Sequence, residues 1–190
     1  MSVSAPLILE CQSVSKQFGG LIAVNNVDLT VHQGEVVGLI GPNGAGKTTL
    51  FNIICGTFPP SKGTILFDGQ NITGLAPHRI AQIGIARTFQ IAKPFNRMTV
   101  LENVLVAAGY QFINSSITAV SAKGMNAARD AALAILERVG LADDAFKLAK
   151  ELNLGLIRRL EIARALALRP RVLMLDEPIA GLGYDAIAGL

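Results

Sequence analysis

Nine consecutive residues, Gly41-Pro42-Asn43-Gly44-Ala45-Gly46-Lys47-Thr48-Thr49, carry the plainest chemistry in this sequence. Their glycines let successive backbone N–H groups turn inward on an anion, and a helix beginning at the end of the run adds its positive pole. The pattern Gly41-x4-Gly46-Lys47-Thr48 is that of a P-loop. In such a loop Lys47 reaches the β- and γ-phosphates of a nucleoside triphosphate, and the Thr48 hydroxyl ligates magnesium. A glycine turn that merely packs a strand on a helix is the plainer explanation. The context argues against it, because an apolar strand-like run precedes the loop and a helical pattern follows. The expected ligand is ATP with magnesium.

A second constellation lies near the end of the chain. Asp176-Glu177 follows the apolar run Val172-Leu173-Met174-Leu175. A carboxylate at the C-terminal end of a parallel strand stands where α/β sheets bind ligands. Asp176 would hold magnesium and Glu177 would polarise the attacking water as general base. Alone, an acidic pair after a strand is a solvated loop; the P-loop is what gives it meaning. Gln90 follows Ile85-Ala86-Arg87-Thr88-Phe89, and its amide is suited to touch both magnesium and that water. Phe18 precedes an apolar alternating run and is suited to stack on adenine, although such an aromatic by itself reads equally as core.

The elements needed to position these residues are visible as patterns. Leu7–Cys11 and Ala23–Val31 alternate apolar and polar residues, as half-buried antiparallel strands do. Gly34-Glu35 marks a turn, and Val36-Val37-Gly38-Leu39-Ile40 reads as a strand buried on both faces. Thr48 to Cys55 reads as a helix closed by Gly56. Pro59-Pro60-Ser61-Lys62-Gly63 forces a turn, Thr64–Phe67 is a short strand, and Asp68-Gly69 signals a hairpin. Thr99-Val100-Leu101-Glu102 is a capping box opening a helix from Val100 to Ala108. Further helices are expected over Ala127–Val139 and Leu156–Leu168, with residues 109–126 carrying no firm period. The expected fold class is α/β: a P-loop core with a parallel sheet, an N-terminal antiparallel β-subdomain and a helical insertion. The whole of residues 1–190 is read as a single domain. About 1–90 form core and β-subdomain, about 91–160 the helical part, and about 161–190 the return to the core.

Bulk properties exclude several classes. Apolar residues make up 51% and charged residues 16%, the balance of a well-buried protein rather than a disordered one. No apolar run approaches the roughly 18 residues that span a bilayer. The opening Met-Ser-Val-Ser-Ala-Pro lacks a secretory pattern. Cys11 and Cys55 have no metal-ligand spacing and read as reduced thiols. The net charge of +3 is mild, the basic residues are scattered and there is no Trp, so no nucleic-acid partner is expected.

Together these motifs resemble the ATP-binding subunit of an ABC transporter from Leu7 to Leu182. They comprise an aromatic loop at Phe18, Walker A over Gly41–Thr49, a Gln loop at Gln90 and Walker B at Leu173-Met174-Leu175-Asp176-Glu177-Pro178. Within that family, Gly84–Gln90, Met98–Val104 and Arg158–Leu166 resemble the Liv-type subunits that energise import of branched-chain amino acids and related amides. The resemblance implies a head-to-tail pair of such domains, homodimeric or heterodimeric, sandwiching ATP. It also implies two membrane permease subunits, a soluble solute-binding protein, and a peripheral position at the cytoplasmic face of the inner membrane.

Two features depart from the family pattern. The signature loop reads Leu152-Asn153-Leu154-Gly155-Leu156, with Leu154 and Leu156 where polar groups are expected around a partner's γ-phosphate. The only histidines, His32 and His78, precede Walker B, and Gly183 stands where an Asp or Asn would help pair two subunits. The expectation from these is a C-terminally truncated copy. Two alternatives stay open beside the transport ATPase. One is a nucleotide-binding fragment or pseudoenzyme deficient in hydrolysis. The other is a soluble ABC-type factor, which the single P-loop and the lack of sustained heptads disfavour.

Overall fold

The computed structural model describes residues 5–88, 94–113 and 122–176. Gln90, Glu177 and the segment from Pro178 onward lie outside the described residues. Two compact units divide between Ile85 and Ala86, and each is described by itself.

The first unit is organised on a long hairpin. Strands β1 (Leu7–Phe18) and β2 (Leu21–His32) pair antiparallel, from Leu7 opposite His32 to Phe18 opposite Leu21. Both run further than the alternating pattern alone indicated, because bulges absorb the residues that break the alternation. Ser13 and Asn26 sit at positive φ beside these irregularities. Their freed N–H groups donate to side chains, Ser13 to Asp28 Oδ1 at 2.6 Å and Asn26 to Ser15 Oγ at 2.8 Å. Strand β3 (Lys62–Phe67) pairs with the other edge of β1, and β4 (Gln70–Asn71) pairs with β3, giving the order β2-β1-β3-β4. The turn between β3 and β4 places Asp68 and Gly69 at φ 53° and 73°, two left-handed residues that match the twist of the strands they join.

Helix α1 (Lys47–Ile54) buries Leu50, Ile53 and Ile54. It ends as its sequence indicates: Gly56 at φ 73° donates to Ile53 O at 3.0 Å, and Thr57 donates to Asn52 O at 2.8 Å. A short helix α2 (Pro77–Gln82), opened by its proline, was not legible in the period. Cys11 and Cys55 are both buried, and neither is in a disulfide among the described residues. Burial, then the charges of Asp28 and Glu10, push the Cys11 thiol up to about 12, so it stays protonated at neutral pH.

One expectation fails here. Val36–Ile40 forms no strand among the described residues, and Val36 and Ile40 are 98% and 96% exposed. An apolar run records what a strand is able to bury. It does not supply the neighbouring strands whose N–H and C=O groups it needs.

In the second unit, α3 (Val100–Ile113), α4 (Ala122–Arg138) and α5 (Leu154–Ala167) close over one core that includes Val100, Val104, Leu136, Leu160 and Ala163. Helix α3 runs past Ala108, and α4 and α5 begin earlier than their apolar periods. The capping box forms as read: Thr99 N donates to Glu102 Oε2 at 2.7 Å, and Glu102 N donates to Thr99 Oγ1 at 3.1 Å. Donation from the Thr99 backbone, then from its hydroxyl, holds the Glu102 carboxyl below its usual range. That contribution is present above the unfolded pKa and is lost as pH falls through the folded one. Strands β5 (Ile85–Arg87) and β6 (Val172–Met174) pair with each other.

Asn103 is fully buried and saturated. Its Oδ1 accepts from Phe95 N at 2.8 Å, and its Nδ2 donates to Phe95 O at 3.1 Å and Thr99 O at 2.9 Å. It therefore staples the segment entering the helical unit onto α3. Replacing it with the similarly sized Leu orphans several polar groups at once. Asn103→Leu should lower stability by about 2–3 kcal/mol in denaturant titration. A change under 0.5 kcal/mol, of the order expected at an ordinary surface site, would show that the staple is dispensable.

Candidate functional site

The glycine loop lies in the first unit, and its geometry follows from close approach. Gly44 and Gly46 adopt φ 84° and 87°, the left-handed region open to glycine. Gly46 has a second reason to be glycine. A Cβ there would run into the carbonyl oxygen of Ala23 on β2, and would also meet Val24 Cγ2 at 3.4 Å. The loop is thus seated against the β1–β2 hairpin near its tip, since Val24 pairs with Lys16 and Ile22 with Gln17. Phe18, at the end of β1 and 44% exposed, belongs to that same tip. Glycine loop and aromatic, 23 positions or more apart in sequence, become parts of one locale.

Gly46 is the N-cap of α1, with no side-chain cap and no acidic residue in the first turn. The N–H groups of that turn are therefore left to an external acceptor, with no carboxylate competing for them. Ala45 N donates to Pro42 O at 3.2 Å, closing the turn within the loop. The Lys47 ammonium folds back and donates to Gly41 O at 2.7 Å and Pro42 O at 2.9 Å. These carbonyls hold the cation over the mouth of the loop, where an anion would take it over. Thr48 and Asn43 are exposed, and Thr49 is half-buried.

Asp176 lies in the second unit, just beyond β6, and is held by residues that sequence reasoning did not single out. Its backbone N–H donates to Thr88 Oγ1 at 3.3 Å, and Thr88 N donates to Met174 O at 3.0 Å. Arg87 Nη2 stands 3.8 Å from Asp176 Oδ2. That oxygen is buried and accepts no hydrogen bond among the described residues. A buried carboxylate oxygen without a donor is costly unless something takes it up, and a divalent cation fits that need. Carboxylate oxygen is the donor type that magnesium prefers. No cluster of three or more His, Cys, Asp or Glu exists among the described residues.

Gln90 and Glu177 fall outside the described residues. In the signature segment, Asn153 caps α5, its Oδ1 accepting from Leu156 N at 3.0 Å. The Asn-x-x-Leu spacing before an apolar period is the signal that would have found it. Leu154 is exposed, whereas Leu156 packs against the helical core. No helix of the described residues is long and apolar enough to cross a membrane.

The ABC transporter family model matches residues 24–180. The high-affinity branched-chain amino acid transport ATP-binding protein LivG of Escherichia coli K12 is 46% identical over 185 residues, covering 95% of this chain and 72% of LivG. The corresponding protein BraF of Pseudomonas aeruginosa is 46% identical over 181 residues, covering 92% of this chain and 71% of BraF. Among solved structures, the ATP-binding cassette MJ1267 of an ABC transporter superposes with a TM-score of 0.80 at 34% identity, covering 96% of this chain and 73% of that one. The cassette MJ0796, a dimer bound to ADP and Pi in a post-hydrolysis state, superposes at 0.79 with 29% identity, covering 96% and 79%.

The two loop glycines give an internal control. An added Cβ at Gly44 would meet nothing within 4 Å, whereas at Gly46 it would meet backbone. Gly44→Ala should cost only the left-handed penalty, about 1–2 kcal/mol. Gly46→Ala should cost more and weaken triphosphate binding at least about tenfold further, as read by thermal unfolding and calorimetric titration. Equal effects of the two changes would contradict the seating of the loop on β2.

Proposed function

Because the chain belongs to the ABC transporter family and is an ATPase by that membership, we propose that it is the ATP-binding subunit of an importer of branched-chain amino acids or related amides. The observation that carries the nucleotide half of this reading is the glycine loop, seated on β2 with the N-terminus of α1 uncapped. The solute half rests on the similarity to LivG and BraF, both of which are branched-chain amino acid transport ATP-binding proteins. We take the whole chain as one ATPase cassette, with the helical part over about residues 91–160 inserted into it.

In this reading Gly41 to Thr49 bind the phosphates through backbone N–H groups, and Phe18 stacks on the adenine. Lys47 leaves the carbonyls of Gly41 and Pro42 for the β- and γ-phosphates, a move that needs only rotation of its side chain. Thr48, Gln90 and Asp176 would hold magnesium, which supplies charge neutralisation on the phosphate oxygens. Arg87 and Thr88 keep the Asp176 carboxylate and its backbone in place. Glu177 accepts the proton of the attacking water, and Gln90 orients that water. A second cassette, homologous or identical, completes the nucleotide site, and membrane permease subunits receive the work. A solute-binding protein delivers the amino acid. The chain then sits peripherally at the cytoplasmic face of the membrane. The hydrolysis-deficient alternative draws no support from the matched relatives.

In a transporter assembled with its permeases and partner cassette, Glu177→Gln should leave ATP affinity within about twofold. It should cut turnover by about 100-fold or more, and leucine uptake into proteoliposomes should fall with it. Turnover that survives the change would remove Glu177 from the base role. An assembly that turns over ATP but does not accumulate leucine, isoleucine, valine or their amides would overturn the solute assignment.

A further inference from the structure

The Phe18 ring does not stand alone at the hairpin tip. It meets Phe58 edge-on, with centroids 5.3 Å apart and an interplanar angle of 86°. The Lys16 ammonium lies 5.2 Å from the Phe18 centroid and 5.0 Å from the Phe58 centroid. Lys16 Nζ also donates to Pro59 O at 2.6 Å. The backbone around this trio is stitched as well: Gln17 N donates to Ser61 Oγ at 3.1 Å, and Ser61 N donates to Ser15 O at 2.8 Å. The segment that leaves α1, Phe58 to Ser61, is thereby tied to the end of β1 that carries Phe18.

We propose that Lys16, held by Pro59 and shared between the rings of Phe18 and Phe58, is a positioning residue for base stacking: it fixes the Phe18 ring at the mouth of the phosphate loop. This rests on the reading of Phe18 as the adenine platform. Two geometric facts carry it. The Phe18 ring is 44% exposed, and among the described residues Phe58 meets it edge-on while the Lys16 ammonium lies over it. The second fact is Lys16's register. It pairs with Val24, one of the two β2 residues against which Gly46 is seated. The same short stretch of hairpin thus supports the phosphate loop through its backbone and the aromatic through its lysine.

The proposal separates Lys16 from a residue that binds phosphate by charge. ATP and inorganic tripolyphosphate would be titrated calorimetrically into the full chain, carrying Lys16→Met, Lys16→Arg, Phe58→Leu, Phe18→Ala and the double change Lys16→Met with Phe18→Ala. Met keeps the apolar stem without the charge, so the hairpin still has its packing, and melting temperatures check that each variant is folded. Lys16→Met should weaken ATP about three- to fivefold and leave tripolyphosphate unchanged. Lys16→Arg should restore most of the loss, and Phe58→Leu should weaken ATP in the same sense. In the Phe18→Ala background the Lys16 change should have no further effect.

Equal loss of ATP and tripolyphosphate binding would make Lys16 a phosphate contact and overturn the proposal. So would an undiminished Lys16 effect without Phe18, or no effect on ATP. If Lys16→Met unfolds the chain, Phe58→Leu and Lys16→Arg decide by the same comparison of ligands. The underlying stacking reading fails separately, by Phe18→Ala leaving ATP affinity unchanged.

Discussion

Between Gly46 and the carbonyl of Ala23 there is no room for a Cβ, and most of what this chain offers to a nucleotide follows from that contact. It brings the first residue before α1 down onto β2, so the helix N-terminus opens where the hairpin turns. It bars a side chain at the cap, a left-handed glycine, so none is there to satisfy the N–H groups of the first turn. The donors are then left for an anion, and among the described residues the Lys47 ammonium donates to the loop's own carbonyls. A packing constraint and the proposed binding site are here the same few atoms.

The hairpin that receives the loop is itself irregular, and usefully so. Its bulges would strand backbone donors at Ser13 and Asn26 if Asp28 and Ser15 did not accept them. Those corrections let β1 run twelve residues to Phe18 with β3 on its other edge. The aromatic therefore ends a strand that β3 flanks as far as Ser15 and that β2 pairs as far as Phe18 itself. In the second unit Thr88 plays a comparable role, with its hydroxyl and N–H both spent on the chain beside Asp176. Asp176 keeps one carboxylate oxygen buried, near Arg87 and without a hydrogen bond among the described residues, a position that a cation would relieve.

How much of this was legible beforehand divides by range. Local chemistry was: the capping box at Thr99 and Glu102, the helix stop at Gly56 and the tight turn at Asp68-Gly69 form as their residue types dictate. So was the glycine loop, because its spacing encodes a backbone shape. What was not legible depends on partners distant in sequence. Val36–Ile40 has the composition of a buried strand, yet it lies exposed among the described residues, since composition does not provide neighbouring strands. The supports of Asp176 come from Arg87 and Thr88, some 88 positions away, and no period announces them. The seat of Gly46 on Ala23 and the sharing of Lys16 between two rings are likewise contacts that only the folded hairpin creates.

The central claim is that the loop over Gly41–Thr49 binds a nucleotide through its terminal phosphates. Its most direct measurement is calorimetric titration of the intact chain with ATP, ADP and AMP in magnesium buffer. ATP and ADP should bind, and AMP should bind at least about 100-fold more weakly, because it lacks the phosphates that the loop amides and Lys47 would address. AMP affinity equal to that of ATP, or no binding of ATP at all, would contradict it.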